Sequence, residues 1–229
     1  TDERRAVLLD TAAHVARTIA TILDPEQLLQ RTVDTICNTF GFYYAGVFLL
    51  DNGTGGSAGE WAVLRSGYGT AGQVMLAEGH RLKVGGNSMV GACIAGHRAK
   101  IALDVGEEAV RFQNPHLPFT RSEMALPLIV GDEVIGALTV QSEDEAAFTQ
   151  EDISILQSMA DQLAVAIKNS YLHRQNLVLL RQAERRARQL QAAHEVGRQV
   201  TSILDLDELL PKTVDIICDA YGFYYAGVF

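Results

Sequence analysis

Apolar positions recur at helical spacing over residues 5–23, where Leu8, Ala12, Val15, Ile19 and Ile22 share one face. Asp24 and Pro25 then interrupt the pattern. Asp is a favoured N-cap and Pro suits the first helical turn, so a new helix is predicted over 25–39. Its inward stripe is Leu28, Leu29, Thr32, Val33, Ile36 and Cys37, and Gly41 ends it. The period then changes. Phe42 to Leu50 is aromatic and β-branched, a Gly-rich stretch covers 51–60, and Trp61 to Arg65 returns as the second strand of a hairpin. A dinucleotide-binding reading of those glycines fails, because that fingerprint must open a helix and here a strand follows. A short helix near 70–77, a strand over 80–84 and a turn at 85–87 come next. Ser88 caps a short helix over 88–96, and a brief strand covers 100–103. Residues 104–120 carry Pro115, Pro118, Phe112 and Phe119 with little periodicity, which predicts a long connection. Two strands, 123–130 and 134–141, meet at the turn Gly131-Asp132.

Thr149-Gln150-Glu151-Asp152 resembles a capping box. No strong breaker follows until Asp205, so one helix is predicted throughout. Ile153, Leu156, Met159, Ala160, Leu163, Ala164 and Ile167 can bury one face on a domain. Farther along, Leu177, Leu180, Ala187, Leu190, Gly197 and Val200 recur at spacings built from threes and fours. A helix that carries an apolar seam away from its domain needs a partner helix. The expectation is a parallel coiled coil in a homodimer, with an irregularity near 181–187, where Arg181 and Glu184 fall close to the seam.

Residues 15–48 and 196–229 are nearly one segment written twice, offset by 181 positions. Gly41-Phe42-Tyr43-Tyr44-Ala45-Gly46-Val47-Phe48 returns as Gly222-Phe223-Tyr224-Tyr225-Ala226-Gly227-Val228-Phe229. Such a repeat suggests a tandem array cut within a unit. The division is 1–23 as an N-terminal connector helix that continues a preceding module, 24–168 as a domain, 169–204 as a coiled-coil signalling helix and 205–229 as the truncated start of a second domain. The strand of that last segment is expected to pair with its equivalent across the dimer.

The formal charge of −9 argues against a nucleic-acid partner, which needs clustered Lys and Arg. No apolar run reaches the length that spans a bilayer, so direct membrane insertion is not expected. The three cysteines form no CxxC and have no ligand spacing with histidine, so no metal is expected. Cys37 and Cys218 are one repeat position and read as core residues. A reducing, cytoplasmic setting fits.

Several blocks together resemble a GAF domain: Ser122-Glu123-Met124-Ala125-Leu126-Pro127-Leu128, then Gly131-Asp132-Glu133-Val134-Ile135-Gly136-Ala137-Leu138-Thr139-Val140-Gln141-Ser142, then Phe148-Thr149-Gln150-Glu151-Asp152. Gly91 and the stretch Pro115 to Arg121 also match. The resemblance implies an α+β fold, an antiparallel sheet of five to six strands with flanking helices and a pocket on one face. It also implies a bacterial multi-sensor signalling protein of the two-component kind, with a histidine kinase or other effector domain in cis. Bilin-binding relatives carry a Cys within the segment matching 107–118. Here only His116 stands there, which argues against a covalent bilin. The dispersed signature of cyclic-nucleotide binders is not found. Relatives that reduce methionine sulfoxide use paired cysteines, and Cys93 lacks a second.

On this fold the candidate ligand-binding residues are Tyr44, Met89, Cys93, His97, Phe112, His116, Phe119, Arg121 and Ser122. Arg121 could pair with an anionic ligand, or with Asp104, Glu107 or Glu108. Cys93 reads chiefly as a small packing residue, with His97 one turn away. No nucleophile–base pair has usable spacing, so the chain is expected not to be an enzyme. The expected function is a sensor that binds an unidentified small molecule and relays its state through the coiled coil. The alternative is a ligand-free dimerisation and relay module.

Overall fold

The computed structural model describes residues 22–51, 59–103, 114–201 and 206–227; within these, the side chains of 199–201 and 206–208 are not described. Of the predicted helix over 5–23, residues 5–21 lie outside the described residues, and Ile22 and Leu23, which are described, are not helical. The chain falls into two units, Thr1–His173 and Arg174–Phe229.

Helix α1, Pro25–Phe40, starts where Asp24 Oδ1 accepts from the Gln27 amide at 2.9 Å. It stops at Gly41, whose φ of 72° suits a residue without Cβ. Strands β1 (Tyr44–Leu50) and β2 (Trp61–Gly67) pair antiparallel, followed by α2 (Gly69–Ala77) and β3 (Arg81–Lys83). Then come α3 (Met89–Gly96), β4 (Lys100–Ala102), β5 (Ser122–Val130) and β6 (Glu133–Ser142). Ser88 Oγ accepts from the Gly91 amide at 3.0 Å and caps α3 as the sequence predicted. Gly131, at φ 64°, takes the first place in the two-residue β5–β6 turn. Helix α4, Gln150–Thr201, opens on a reciprocal cap. The Thr149 amide donates to Asp152 Oδ2 at 2.9 Å, and the Asp152 amide donates to Thr149 Oγ1 at 3.2 Å.

The six strands form one sheet in the order β3-β2-β1-β6-β5-β4. Strand β1, first in sequence, therefore lies near the middle, zipped to β2 on one side and β6 on the other. Each face carries its own apolar core. Val47, Leu126, Leu128, Leu138 and Val140 face α1 and the first turns of α4, and pack on Leu28, Val33, Ile36, Leu156 and Leu163. Tyr44, Phe48, Ala125 and Ala137 face the other way and meet Met75, Met89, Val90, Cys93 and Leu117. This second face holds the candidate site.

Two contacts fix the frame of the site. A Cβ at Gly91 would lie 2.2 Å from the Lys83 carbonyl oxygen, so α3 rests on the chain leaving β3 with backbone against backbone. Gly91→Ala is expected to destabilise by about 2 kcal/mol, seen as a lower urea midpoint at unchanged slope. On the opposite side, Ser170 Oγ of α4 donates to the Leu23 carbonyl at 2.7 Å. That bond joins a residue just before α1 to a residue well along α4.

No helix among the described residues is long and apolar enough to cross a membrane.

Candidate functional site

The site begins with strand register. Tyr44 of β1 stands opposite Gln141 of β6, which stands opposite Glu123 of β5, which stands opposite Ala102 of β4. Directly opposed residues share a face, with side chains close together. One row across four strands is therefore tyrosine, glutamine, glutamate, alanine. The next row is Gly46, Thr139 and Ala125. Polar side chains thus line a sheet face that otherwise packs Phe48, Ala137, Cys93 and Leu117.

Glu123 dominates the row. Its Oε1 accepts from Thr139 Oγ1 at 2.9 Å. Among the described residues no Lys, Arg or His forms an ion pair with it. Burial pushes its carboxyl up to about 7, and the Thr139 hydrogen bond offsets only part of that. Gln141 Oε1 accepts from Thr120 Oγ1 at 2.6 Å, which ties the connection before β5 to the sheet.

Tyr44 behaves differently. A Cβ at Gly46 would lie 2.7 Å from its hydroxyl oxygen, and one at Gly67 would lie 2.6 Å from it. The ring lies across the glycines of β1 and β2, and the buried hydroxyl has no hydrogen-bond partner among the described residues. Burial, and secondarily the neighbouring Cys37 and Glu123, push this phenol well above its usual range. An orphaned buried hydroxyl costs free energy, so Tyr44→Phe is expected to be neutral or to stabilise by about 1 kcal/mol in urea unfolding.

A family profile for the GAF domain matches residues 22–168. The chain belongs to the GAF family. GAF domains are small-molecule-binding signalling modules, so the sequence resemblance and the six-stranded α+β fold agree. The family match stops before the second repeat. No curated protein matches the chain. Solved structures share the GAF fold. The GAF domain of a phosphoenolpyruvate-protein phosphotransferase from Coxiella burnetii has a TM-score of 0.65 at 18% identity, covering 74% of this chain and 97% of that one. A free methionine-R-sulfoxide reductase from Neisseria meningitidis, solved with its substrate, has a TM-score of 0.62 at 21% identity, covering 74% of this chain and 93% of that one. A type II free methionine-R-sulfoxide reductase from Thermoplasma acidophilum has a TM-score of 0.51 at 19% identity, covering 62% and 92%. The last two correct the expectation that the chain is not an enzyme. This GAF fold also serves as a catalytic scaffold, so the absence of a sequence-adjacent nucleophile and base does not exclude catalysis.

Within the GAF domain the sequence-chosen residues scatter. Tyr44, Met89 and Cys93 share the core on the site face. Burial pushes the Cys93 thiol up to about 12, against a smaller opposing pull from Lys100, so it remains a thiol at neutral pH. His97 is exposed and ends α3 in a left-handed conformation, φ 51°. His116 Nε2 lies 2.9 Å from Glu78 Oε2, which fastens the 114–120 turn to the end of α2. Phe119 is exposed, with its ring edge-on to Tyr43. Arg121 pairs with Glu145, a partner outside the sequence-based choices. Ser122 points to the opposite face from Glu123 and donates to the Asp144 carbonyl at 2.7 Å. Phe112 lies outside the described residues. Among the described residues, no group of three His, Cys, Asp or Glu is placed to hold a metal ion.

Sequence reasoning missed Glu123, Gln141, Thr139 and Thr120. A signal was available: Glu123, Thr139 and Gln141 fall at site-face positions of strands whose two faces are both covered. A polar residue there needs a partner or a purpose.

Proposed function

We propose that this GAF domain binds a small molecule on the sheet face carrying Glu123, Gln141, Thr139 and Thr120, and relays its occupancy through α4 to an effector domain in cis. The observation that carries the reading is Glu123, a partly buried carboxyl with one donor among the described residues, set in an apolar wall. A ligand hydrogen-bond donor or positive charge would complete its coordination. Binding at this face bears on α3 and the 114–120 turn, whose fastenings are Thr120 to Gln141 and His116 to Glu78.

The relay half rests on the second unit. Leu177, Leu180 and Leu190 of α4 are all exposed in the single chain, as are Ala187 and Gly197. The side chain of Val200 is not described. A parallel coiled coil between two copies would cover this surface.

Native mass spectrometry of the purified chain tests both halves. The expected spectrum is a dimer with added mass per subunit, with that mass lost in Glu123→Ala while the circular dichroism spectrum stays native. A clean dimer with no adduct after incubation with cell metabolites would reduce the reading to dimerisation alone. A monomer would remove the relay.

A further inference from the structure

Residues 206–222 repeat residues 25–41 in local structure as well as in sequence, and the sequence repeat continues through 227. Helix α5, Leu206–Tyr221, ends on Gly222 at φ 68°, as α1 ends on Gly41 at φ 72°. Thr213 Oγ1 donates to the Leu209 carbonyl at 2.6 Å, as Thr32 Oγ1 donates to the Leu28 carbonyl at 2.8 Å. What differs is cover. In α1 the residues Leu28, Leu29, Thr32, Val33, Ile36 and Cys37 are all buried beneath the sheet. In α5 the same residue types stand at 209, 210, 213, 214, 217 and 218, and none of them is buried. Leu29 is 2% exposed and its counterpart Leu210 is 41%; Tyr44 is 2% exposed and its counterpart Tyr225 is 74%. A groove of about 490 Å³, lined by Ala193, Val196 and Gly197 of α4 and by Ile217, Tyr221 and Phe223, remains beside α5.

The first copy shows what cover this face requires. Helix α1 packs on β1 and β2 of its own sheet and shares a core with that sheet. Two α5 helices meeting in a dimer would therefore not reproduce it. The place of α1 in a second molecule does not fit α5 either. There Gln30 Oε1 accepts from Ser66 Oγ at 3.0 Å, and α5 has Pro211 at that position. A proline supplies no acceptor side chain. The Tyr-Ala-Gly spacing is kept as well. In β1 the glycine leaves room for the tyrosine ring, because a Cβ at Gly46 would lie 3.0 Å from a Tyr44 ring carbon.

We infer that residues 206–227 are the first helix and the opening of the first strand of a second GAF domain, that this domain's own sheet covers the apolar face of α5, and that Tyr225 and Gly227 repeat the tyrosine-over-glycine floor. The chain then presents two like floors joined by one helix. This holds whether or not the first floor binds a ligand.

Hydrogen exchange compares the 229-residue chain with the gene product of its uninterrupted reading frame. Residues 209–221 are expected to exchange about 100-fold more slowly in the gene product, since cover by a sheet brings local opening towards the global limit. Leu210→Asp should abolish that protection while leaving residues 28–37 protected. Three results would overturn the inference: equal exchange in both chains, a reading frame that encodes no further strands, or protection in the 229-residue chain that rises with its concentration. The last would assign the face to a second copy.

Discussion

A Glu123→Gln chain is expected to be more stable than the native chain at pH 8, by about 2 kcal/mol, and no more stable near pH 4. The carboxyl is raised from its ordinary 4.5 to about 7, chiefly by burial. The folded state therefore holds its proton more tightly than the unfolded state. That contribution is complete below pH 4.5 and is lost as pH rises through 7. At about 1.36 kcal/mol per pH unit the interval bounds the effect near 3 kcal/mol, and partial exposure reduces it to about 2. Glutamine is neutral at every pH and keeps an oxygen for the Thr139 hydroxyl to reach. Urea unfolding of both chains at pH 4, 6 and 8 checks this. Other groups cancel in the difference between the chains. A difference that stays flat with pH would show that Glu123 titrates as if exposed. A ligand carrying a positive charge should narrow the gap at pH 8, because it restores a partner to the carboxylate.

Gly136→Ala is expected to cost about 3 kcal/mol or more. Gly136 stands opposite Leu49 in one ladder and Leu128 in the other. A Cβ there would sit 2.0 Å from the Phe48 carbonyl oxygen and 3.0 Å from the Leu49 Cα. Both atoms belong to the β1 backbone, held between β2 and β6, and cannot turn aside as a side-chain tip can. The methyl group must push β1 and β6 apart near the middle of the sheet, beneath both cores. Thermal unfolding should show a loss of about 10 °C for a domain of this size. A loss under 2 °C would mean that β1 and β6 lie farther apart than described.

Helix limits were legible in the sequence because their causes are local. Asp24, Ser88 and Thr149 each cap a helix within three residues of themselves, and Gly41 and Gly131 sit at turns that need a positive φ. The site was less legible, for two physical reasons. Strands β5 and β6 are covered on both faces, so their alternation is too weak to show which phase faces the site. Ser122 and Glu123 are one residue apart, and one residue reverses the face. Partners distant in sequence also escape local reading. The engagement of His116 by Glu78, of Arg121 by Glu145 and of Gln141 by Thr120 depends on how α2, β6 and the 114–120 turn meet. Tyr44 lies in the core of this face. The direction of its hydroxyl depends on Gly46 and Gly67 lying side by side, which only the pairing of β1 with β2 brings about.

The bond from Ser170 to Leu23 closes the first unit like a clasp. The stretch between those two residues carries all six strands. Chain termini that lie together make a domain easy to insert or excise without moving what flanks it. Duplication of such a domain lengthens a protein while leaving each bead intact, and the clasp is where a new bead can be threaded.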